Sequence, residues 1–315
     1  MSNILFSDEN DRVQNVNIDE LFEELLIYKD IPNDAKKFKK FIIDLLLISG
    51  VKSKYVDEMT TDDKIVLYEN AFTNKDYDNT NNYEFMELLG DVTCNKIIVW
   101  YLKKRFPILN NTDGVKVMAR LRINLVSGKH FASIARQLGF LPYISYTSET
   151  MNEKQLNSVL EDVLEAFIGV TESIIDDKYN GLGYKVCYQI FEKILDKEYI
   201  SLSYNDLYDP ITRLKETFDY YNSESLKGNC PFIWGQMKWV VSKTEEGQHH
   251  VRFCQKNNIT KEEKIISEDF GQYLDETKNK ICDKYLSFLK SKGYEKKISA
   301  YYLMLDTYNK EVGAN

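Results

Sequence analysis

From about residue 19 to residue 198, apolar positions recur at three- and four-residue spacing with little interruption. The stretches "DELFEELLIYK", "KKFKKFIIDLLLISG", "DDKIVLYENAF", "NNYEFMELLGDVTCNKIIVWYL", "GVKVMARLRINLVSGKHFASIARQLG", "EKQLNSVLEDVLEAFIGVTESIID" and "YKVCYQIFEKILDKEY" all carry the helical period, which predicts an all-α domain. The period is lost in "ISLSYNDLYDP", where Asn, Asp and Pro210 suggest a linker. "DPITRLKETFDYYN" then starts a helix with proline in its first turn. Short alternating segments follow in "GQMKWVVSKT", "HHVRFCQKN" and "EKIISEDF", as expected of strands between polar turns. "ETKNKICDKYLSFLKSKG" returns to helix, with Thr277 as its expected cap and Ile281, Tyr285, Phe288 and Leu289 on one face. The predicted order is therefore an N-terminal extension (1–34), a helical domain (35–198), a linker (199–208), an α+β unit of order α-β-β-β-α (209–292) and a C-terminal tail (293–315).

Two apolar helices in this pattern contain acids. Glu87 and Asp91 are four apart, and Asp162 and Glu165 three apart, so each pair shares one face of its helix. Around the second pair, Val163, Leu164, Ala166, Phe167, Ile168 and Val170 belong in a core. If the two helices pack side by side, four like charges meet, and a divalent cation would relieve their repulsion. Oxygen-only ligands suit magnesium or manganese better than zinc, and the chemistry such an ion favours is phosphodiester hydrolysis. Solvated helix faces or ion-pair partners are the alternative for any one such pair.

Composition narrows the classes. A chain of 315 residues with 43% hydrophobic positions can bury real cores. Five scattered cysteines with no C-x-x-C suggest neither a disulfide framework nor a zinc knuckle, and point to a reducing, intracellular compartment, cytoplasmic or nuclear. "MSNILFSDENDR" lacks the basic region of a signal peptide, and the longest apolar run, "FIIDLLLISGV", is short and holds Asp44, so no membrane partner is expected. The net charge of −8 speaks against a nucleic-acid partner until its distribution is considered: Asp206–Ala300 holds 16 Lys/Arg against 15 Asp/Glu. No P-loop, G-x-S-x-G or His-Cys cluster is present, which leaves nucleotide hydrolysis by that route, serine chemistry and a zinc site unsupported. His130 reads as structural, and Trp234, Trp239 and Phe253 read as core more readily than as base-stacking residues.

The acidic segments resemble the ribonuclease III family. "YEFMELLGD" is similar to the family's N-E-R-L-E-F-L-G-D signature, keeping Glu84, Glu87, Leu89, Gly90 and Asp91, and "EDVLEAFIG" is similar to A-D-x-x-E-A-x-I-G, keeping Asp162, Glu165, Ala166, Ile168 and Gly169. "ENAFTNKDY" resembles A-L-T-H-x-S-Y, and the intervening helices, with Arg122 and a small-residue turn near Ser127, also match, so the likeness covers roughly residues 60–195. Tyr83 stands where the signature has Asn, Phe85 where it has Arg, Asn74 where the upstream motif has His, and Leu88 where the family has the Phe that fills a socket on its partner subunit.

A weaker resemblance links the C-terminal part to the double-stranded-RNA-binding domain that follows the nuclease in this family. Lys215 and Glu216 stand at its Q-E pair, Gly247 and His250 in its G-P-x-H loop, and Thr277 and Lys278 at its S-K-K helix start, with Gln248 replacing the proline and Asn279 a lysine. The resemblance implies a homodimeric endoribonuclease cleaving double-stranded RNA or hairpin stems, leaving 5′-phosphates, 3′-hydroxyls and short 3′ overhangs. Glu87, Asp91, Asp162 and Glu165 are the expected catalytic metal ligands for Mg2+ or Mn2+, with Glu84 supporting the interface or RNA positioning. Lys215, Glu216, His249, His250, Lys278, Lys280 and Lys284 are the expected RNA contacts. A non-cleaving RNA-binding protein is the rival expectation. Richness in Asn, Lys, Ile and Tyr suggests AT-rich coding, which together with the resemblance suits a large DNA virus and a host cytoplasm.

Overall fold

The computed structural model describes residues 35–147, 151–223, 225–257 and 260–312; the expected N-terminal extension lies outside them. The chain divides into two compact units, Met1–Tyr199 and Ile200–Asn315.

In the first unit the described residues form helices α1 (Ala35–Ile48), α2 (Ser53–Met59), α3 (Asp62–Ala71), α4 (Glu84–Arg105), α5 (Thr112–Leu125), α6 (Gly128–Gln137), α7 (Glu153–Asp176) and α8 (Gly183–Leu195). Sequence sets several of their ends. Asn152 and Gln155 form a reciprocal capping box that opens α7, and Lys103, Lys104 and Arg105 sit in the last turn of α4, where the helix dipole favours positive charge. The expected core residues of α7 are all buried: Val163, Leu164, Ala166, Phe167, Ile168 and Val170. An aromatic cluster backs them, with Phe41 stacked on Tyr143 at 4.5 Å and Phe140 edge-on to Phe167 at 5.6 Å.

α4 differs from the core helix its apolar sequence suggests. Ile97, Ile98, Tyr101 and Leu102 are buried, yet Phe85, Leu88, Leu89 and Val92 face outward, with Phe85 65% and Val92 64% exposed. Two glycines bring α4 against α7. A Cβ at Gly90 would lie 1.8 Å from the Glu165 carbonyl oxygen, and one at Gly169 would lie 2.2 Å from the Met86 carbonyl oxygen. The backbones meet there with no room for a side chain.

The second unit contains a short turn of helix, α9 (Tyr204–Leu207), then α10 (Pro210–Tyr221), strands β1 (Gln236–Lys243), β2 (His249–Lys256) and β3 (Glu263–Gly271), α11 (Leu274–Ser291) and α12 (Ala300–Val312). The strands form an antiparallel sheet in the order β1-β2-β3, with Trp239 paired to Phe253 and a bulge at Phe253/Cys254. Leu214 and Phe218 from α10, Val251 and Phe253 from β2, and Ile281, Tyr285 and Leu289 from α11 close one core between helices and sheet. Trp239 is partly buried against that core, and Trp234 precedes β1 instead of lying on a strand.

Three expectations change here. α11 begins at Leu274, so Thr277 lies inside its first turn and donates to the Tyr273 carbonyl instead of capping. The expected linker is part of the unit: Leu202, Tyr204 and Leu207 are buried. The expected tail supplies α12, whose Leu305 is fully buried; Tyr302 hydrogen-bonds Tyr208 at 2.8 Å, and Asn309 accepts from the Leu202 amide at 3.3 Å. Tyrosines at both ends of the unit made this docking possible, and because they are nearly a hundred positions apart, local periodicity carried no sign of it.

Candidate metal centre

Gly90 and Gly169 let α4 and α7 approach, and the helical spacing then decides which acids meet. Glu87, one turn before Gly90, joins Asp162 and Glu165 so that one carboxylate oxygen from each lies within 4.8 Å of the others. Glu165 is 6% exposed, and Glu87 and Asp162 are half-buried. Asp91, the fourth expected ligand, stands beside this trio and not within it. Its Oδ1 accepts from Asn95 Nδ2 at 2.7 Å, and Arg122 donates to Asn95 Oδ1 at 2.6 Å, which ties the Asp91 carboxylate to its own helix and to α5. Glu84 also stands outside the trio, paired with Lys75 at 2.8 Å.

The electrostatics are those of a crowded set of acids that the nearby Lys75 offsets only in part. Burial pushes the Glu165 carboxyl up to about 9, and the charges of Asp91, Glu161, Glu87 and Asp162 add to the effect. Glu87 is raised by burial and by Asp162, Glu84 and Asp91. Asp162 is raised by burial, against which the hydrogen bond from Tyr83 works. Only carboxylate oxygens converge here, a donor set that fits a hard divalent cation and offers zinc none of its preferred nitrogen or sulfur ligands.

Two participants escaped the sequence reading. Glu161, one turn before Glu165, is raised by burial and by Asp162, Asp91 and Glu87, so it faces the same cluster. Its carboxylate lies where a Cβ on Gly128 would be, 2.1 Å from Oε2, so the glycine that opens α6 leaves its space. The i,i+4 spacing of Glu161 and Glu165 was the available signal. The other is Tyr83, which is 2% exposed and donates from its hydroxyl to Asp162 Oδ2 at 3.0 Å.

The expected RNA contacts lie in the second unit. Lys215 is exposed on α10, whereas Glu216 accepts from the Tyr204 hydroxyl and from Lys296, so it is engaged within the fold. His249 and His250 open β2 instead of standing in a loop; His250 stacks on Phe270 at 4.2 Å and meets Glu268 at 2.9 Å. Lys278 lies 5.8 Å over the Trp239 ring, and Lys280 and Lys284 both pair with Asp269, at 3.1 and 2.8 Å. His130 is structural, bridging the Leu125 carbonyl at 2.7 Å and Glu198 at 2.8 Å.

The family profile "Ribonuclease III domain" matches residues 84–171, a span that holds the acidic cluster. A protein of Invertebrate iridescent virus 6 named "Putative ribonuclease 3" is 35% identical over 213 residues, covering 64% of this chain and 71% of that protein. One of the same name from Frog virus 3 (isolate Goorha) is 41% identical over 176 residues, covering 55% of this chain and 47% of that protein. The nuclease domain of a ribonuclease III from Campylobacter jejuni aligns at 28% identity and a TM-score of 0.36, over 44% of this chain and 92% of that one. The chain belongs to the ribonuclease III family. The two viral relatives are iridovirus proteins, in line with the large DNA virus that the resemblance and the composition together suggested.

Proposed function

We propose that the chain is a divalent-cation-dependent endoribonuclease that hydrolyses double-stranded RNA or hairpin stems and leaves 5′-phosphate and 3′-hydroxyl ends with short 3′ overhangs. The observation that carries this reading is the convergence of Glu87, Asp162 and Glu165 from two helices onto one spot, with Asp91 and Glu161 beside them. Magnesium, or manganese in its place, held by those carboxylates would polarise the phosphodiester and activate the attacking water. With its carboxyl pushed up to about 9, Glu165 holds a proton at neutral pH that a bound cation would have to displace. The Tyr83 hydroxyl donates to Asp162, and Asn95 with Arg122 holds Asp91 at the rim of the cluster.

Homodimerisation is part of the proposal. Phe85, Leu88, Leu89 and Val92 follow i, i+3, i+4, i+7 spacing on the solvent side of α4, a continuous apolar stripe of the kind a second copy covers. Each copy would then cut one strand. The second unit, with its order of helix, three strands and helix, fits a double-stranded-RNA-binding domain in which lysines of α11 meet phosphates. Five free, buried cysteines support a reducing compartment as its site of action. Among the described residues no helix is long and apolar enough to cross a membrane.

The test is a long RNA duplex incubated with the wild type, with and without magnesium, and with Glu165→Gln. Cleavage by the magnesium-supplied wild type alone is expected. A duplex that persists in all three tubes removes the nuclease reading, and a retained gel shift in that case establishes a non-cleaving binder.

A further inference from the structure

Tyr83 and Asn74 each depart from the family pattern, and in the fold they form one hydrogen-bonded chain that ends on the acidic cluster. Asn74 Nδ2 donates to the Tyr83 hydroxyl at 2.8 Å, and that hydroxyl donates its single proton to Asp162 Oδ2 at 3.0 Å. The Asn74 amide is itself oriented, because its Oδ1 accepts from the Asp76 backbone N–H at 2.8 Å, which leaves the NH2 for Tyr83. The loop is held by its backbone: the Asn74 N–H donates to the Ser145 carbonyl at 2.9 Å, and the Tyr83 N–H to the Thr73 carbonyl at 3.1 Å. Tyr83 also starts the helix that carries Glu87, whose N–H donates to the Tyr83 carbonyl at 2.8 Å. One residue thus grips α4 through its backbone and α7 through its side chain, beside two members of the carboxylate trio.

A phenol that is only filling a core needs no partner on an ionisable group. Here both hydrogen-bonding capacities of the hydroxyl are used, and the acceptor is one of the three acids that converge. A hydrogen bond to one carboxylate oxygen fixes the torsion of the whole group and so sets the direction of the other oxygen. Chains of this kind are cooperative, since the bond received from Asn74 strengthens the one given to Asp162.

We propose that Tyr83, oriented by Asn74, is a positioning residue that presets the Asp162 carboxylate for the divalent cation. This rests on the reading of Glu87, Asp162 and Glu165 as a cation site. Groups that orient metal ligands from behind typically contribute about 10- to 100-fold to metal affinity. In this chain an Asn–Tyr pair does so at the two positions where the family pattern has His and Asn.

The experiment is Mn2+ binding to the full chain, without RNA, followed by electron paramagnetic resonance of the free ion. The proteins are the wild type, Tyr83→Phe, Asn74→Ala and the double variant, with apo thermal unfolding measured alongside. Tyr83→Phe keeps the buried ring and decides the question even if Asn74→Ala folds poorly. The expected result is Mn2+ affinity reduced by about 10- to 100-fold in Tyr83→Phe, a smaller loss in Asn74→Ala, and a double variant no weaker than Tyr83→Phe, with Tyr83→Phe unfolding near the wild-type temperature. Wild-type affinity in Tyr83→Phe overturns the positioning role and leaves the cation site standing. A wild type that binds no Mn2+ overturns the cation site and the positioning role with it.

Discussion

Replacing Gly90 by alanine should destabilise the first unit, although helix propensity alone gives the opposite sign. Glycine inside a helix costs about 0.5–1 kcal/mol relative to alanine, so at an indifferent position the substitution stabilises. At Gly90 the new Cβ would lie 1.8 Å from the Glu165 carbonyl oxygen, 2.5 Å from its carbon and 3.1 Å from the Gly169 nitrogen. All three are backbone atoms of α7 and cannot rotate away. Carbon–oxygen contacts between elements settle near 3.3–3.6 Å, so the helices must part by about 1.5 Å at this point. Overpacking of this kind typically costs about 1–3 kcal/mol, which for a unit of this size lowers the melting temperature by about 2–4 °C per kcal/mol. The same displacement pulls Glu87 away from Asp162 and Glu165, whose oxygens now lie within 4.8 Å, so Mn2+ affinity should fall together with stability. Gly169→Ala, facing the Met86 carbonyl oxygen at 2.2 Å, should behave alike. Calorimetric melting and Mn2+ titration of both variants measure the two effects. An alanine variant that melts at or above the wild-type temperature with unchanged Mn2+ affinity would refute the reasoning that these glycines set the helix separation.

Other outcomes follow from the same geometry. Burial and the neighbouring acids hold Glu165 at about 9, so a cation binding at pH 7 must expel its proton. Mn2+ affinity should therefore rise by up to about tenfold per pH unit from 7 to 9 and level off above, and a flat titration would contradict the assignment. In the apo-protein the same raised carboxyl contributes stability below its ordinary value of 4.5 that is lost as pH climbs through about 9, and added Mg2+ should restore the melting temperature. Lys284 first, then Lys280, holds Asp269 down at about 2. Asp269→Asn, in a Glu165→Gln background, should tighten duplex binding several-fold at low salt and steepen its salt dependence; unchanged gel shifts would show that these lysines do not meet phosphate. Burial opposes charge on His130, but Glu198 at 2.8 Å and the Leu125 carbonyl outweigh it and raise its pKa above 6.5, so its stabilisation is present below that pH and lost above the raised value. Glu198→Gln should accordingly lower the melting temperature more at pH 6 than at pH 8.5.

Local pattern was enough to specify most of the elements and to pair the acids on two helices. A 3.6-residue period marked the helices of the first unit other than the short α2, and alternation placed β1, β2 and β3, because those signals are local and each element can be recognised without its neighbours. Spacing also placed Glu87 with Asp91 and Asp162 with Glu165 on shared helix faces, whereas the close approach of the two helices at Gly90 and Gly169 shows only in the packing. Which of their oxygens converge depends on how the helices pack. Asp91 accepts from Asn95 beside the trio, Glu161 joins the crowd through space left by Gly128, and Tyr83 crosses from one helix to the other to donate to Asp162. The same holds for the apolar half of α4, which reads as core yet faces solvent, and for Lys280 and Lys284, which Asp269 already engages. Periodicity says which residues share a face, but burial and hydrogen-bond partners depend on what stands opposite that face, and here the partner stands 79 residues away from Tyr83 in the chain.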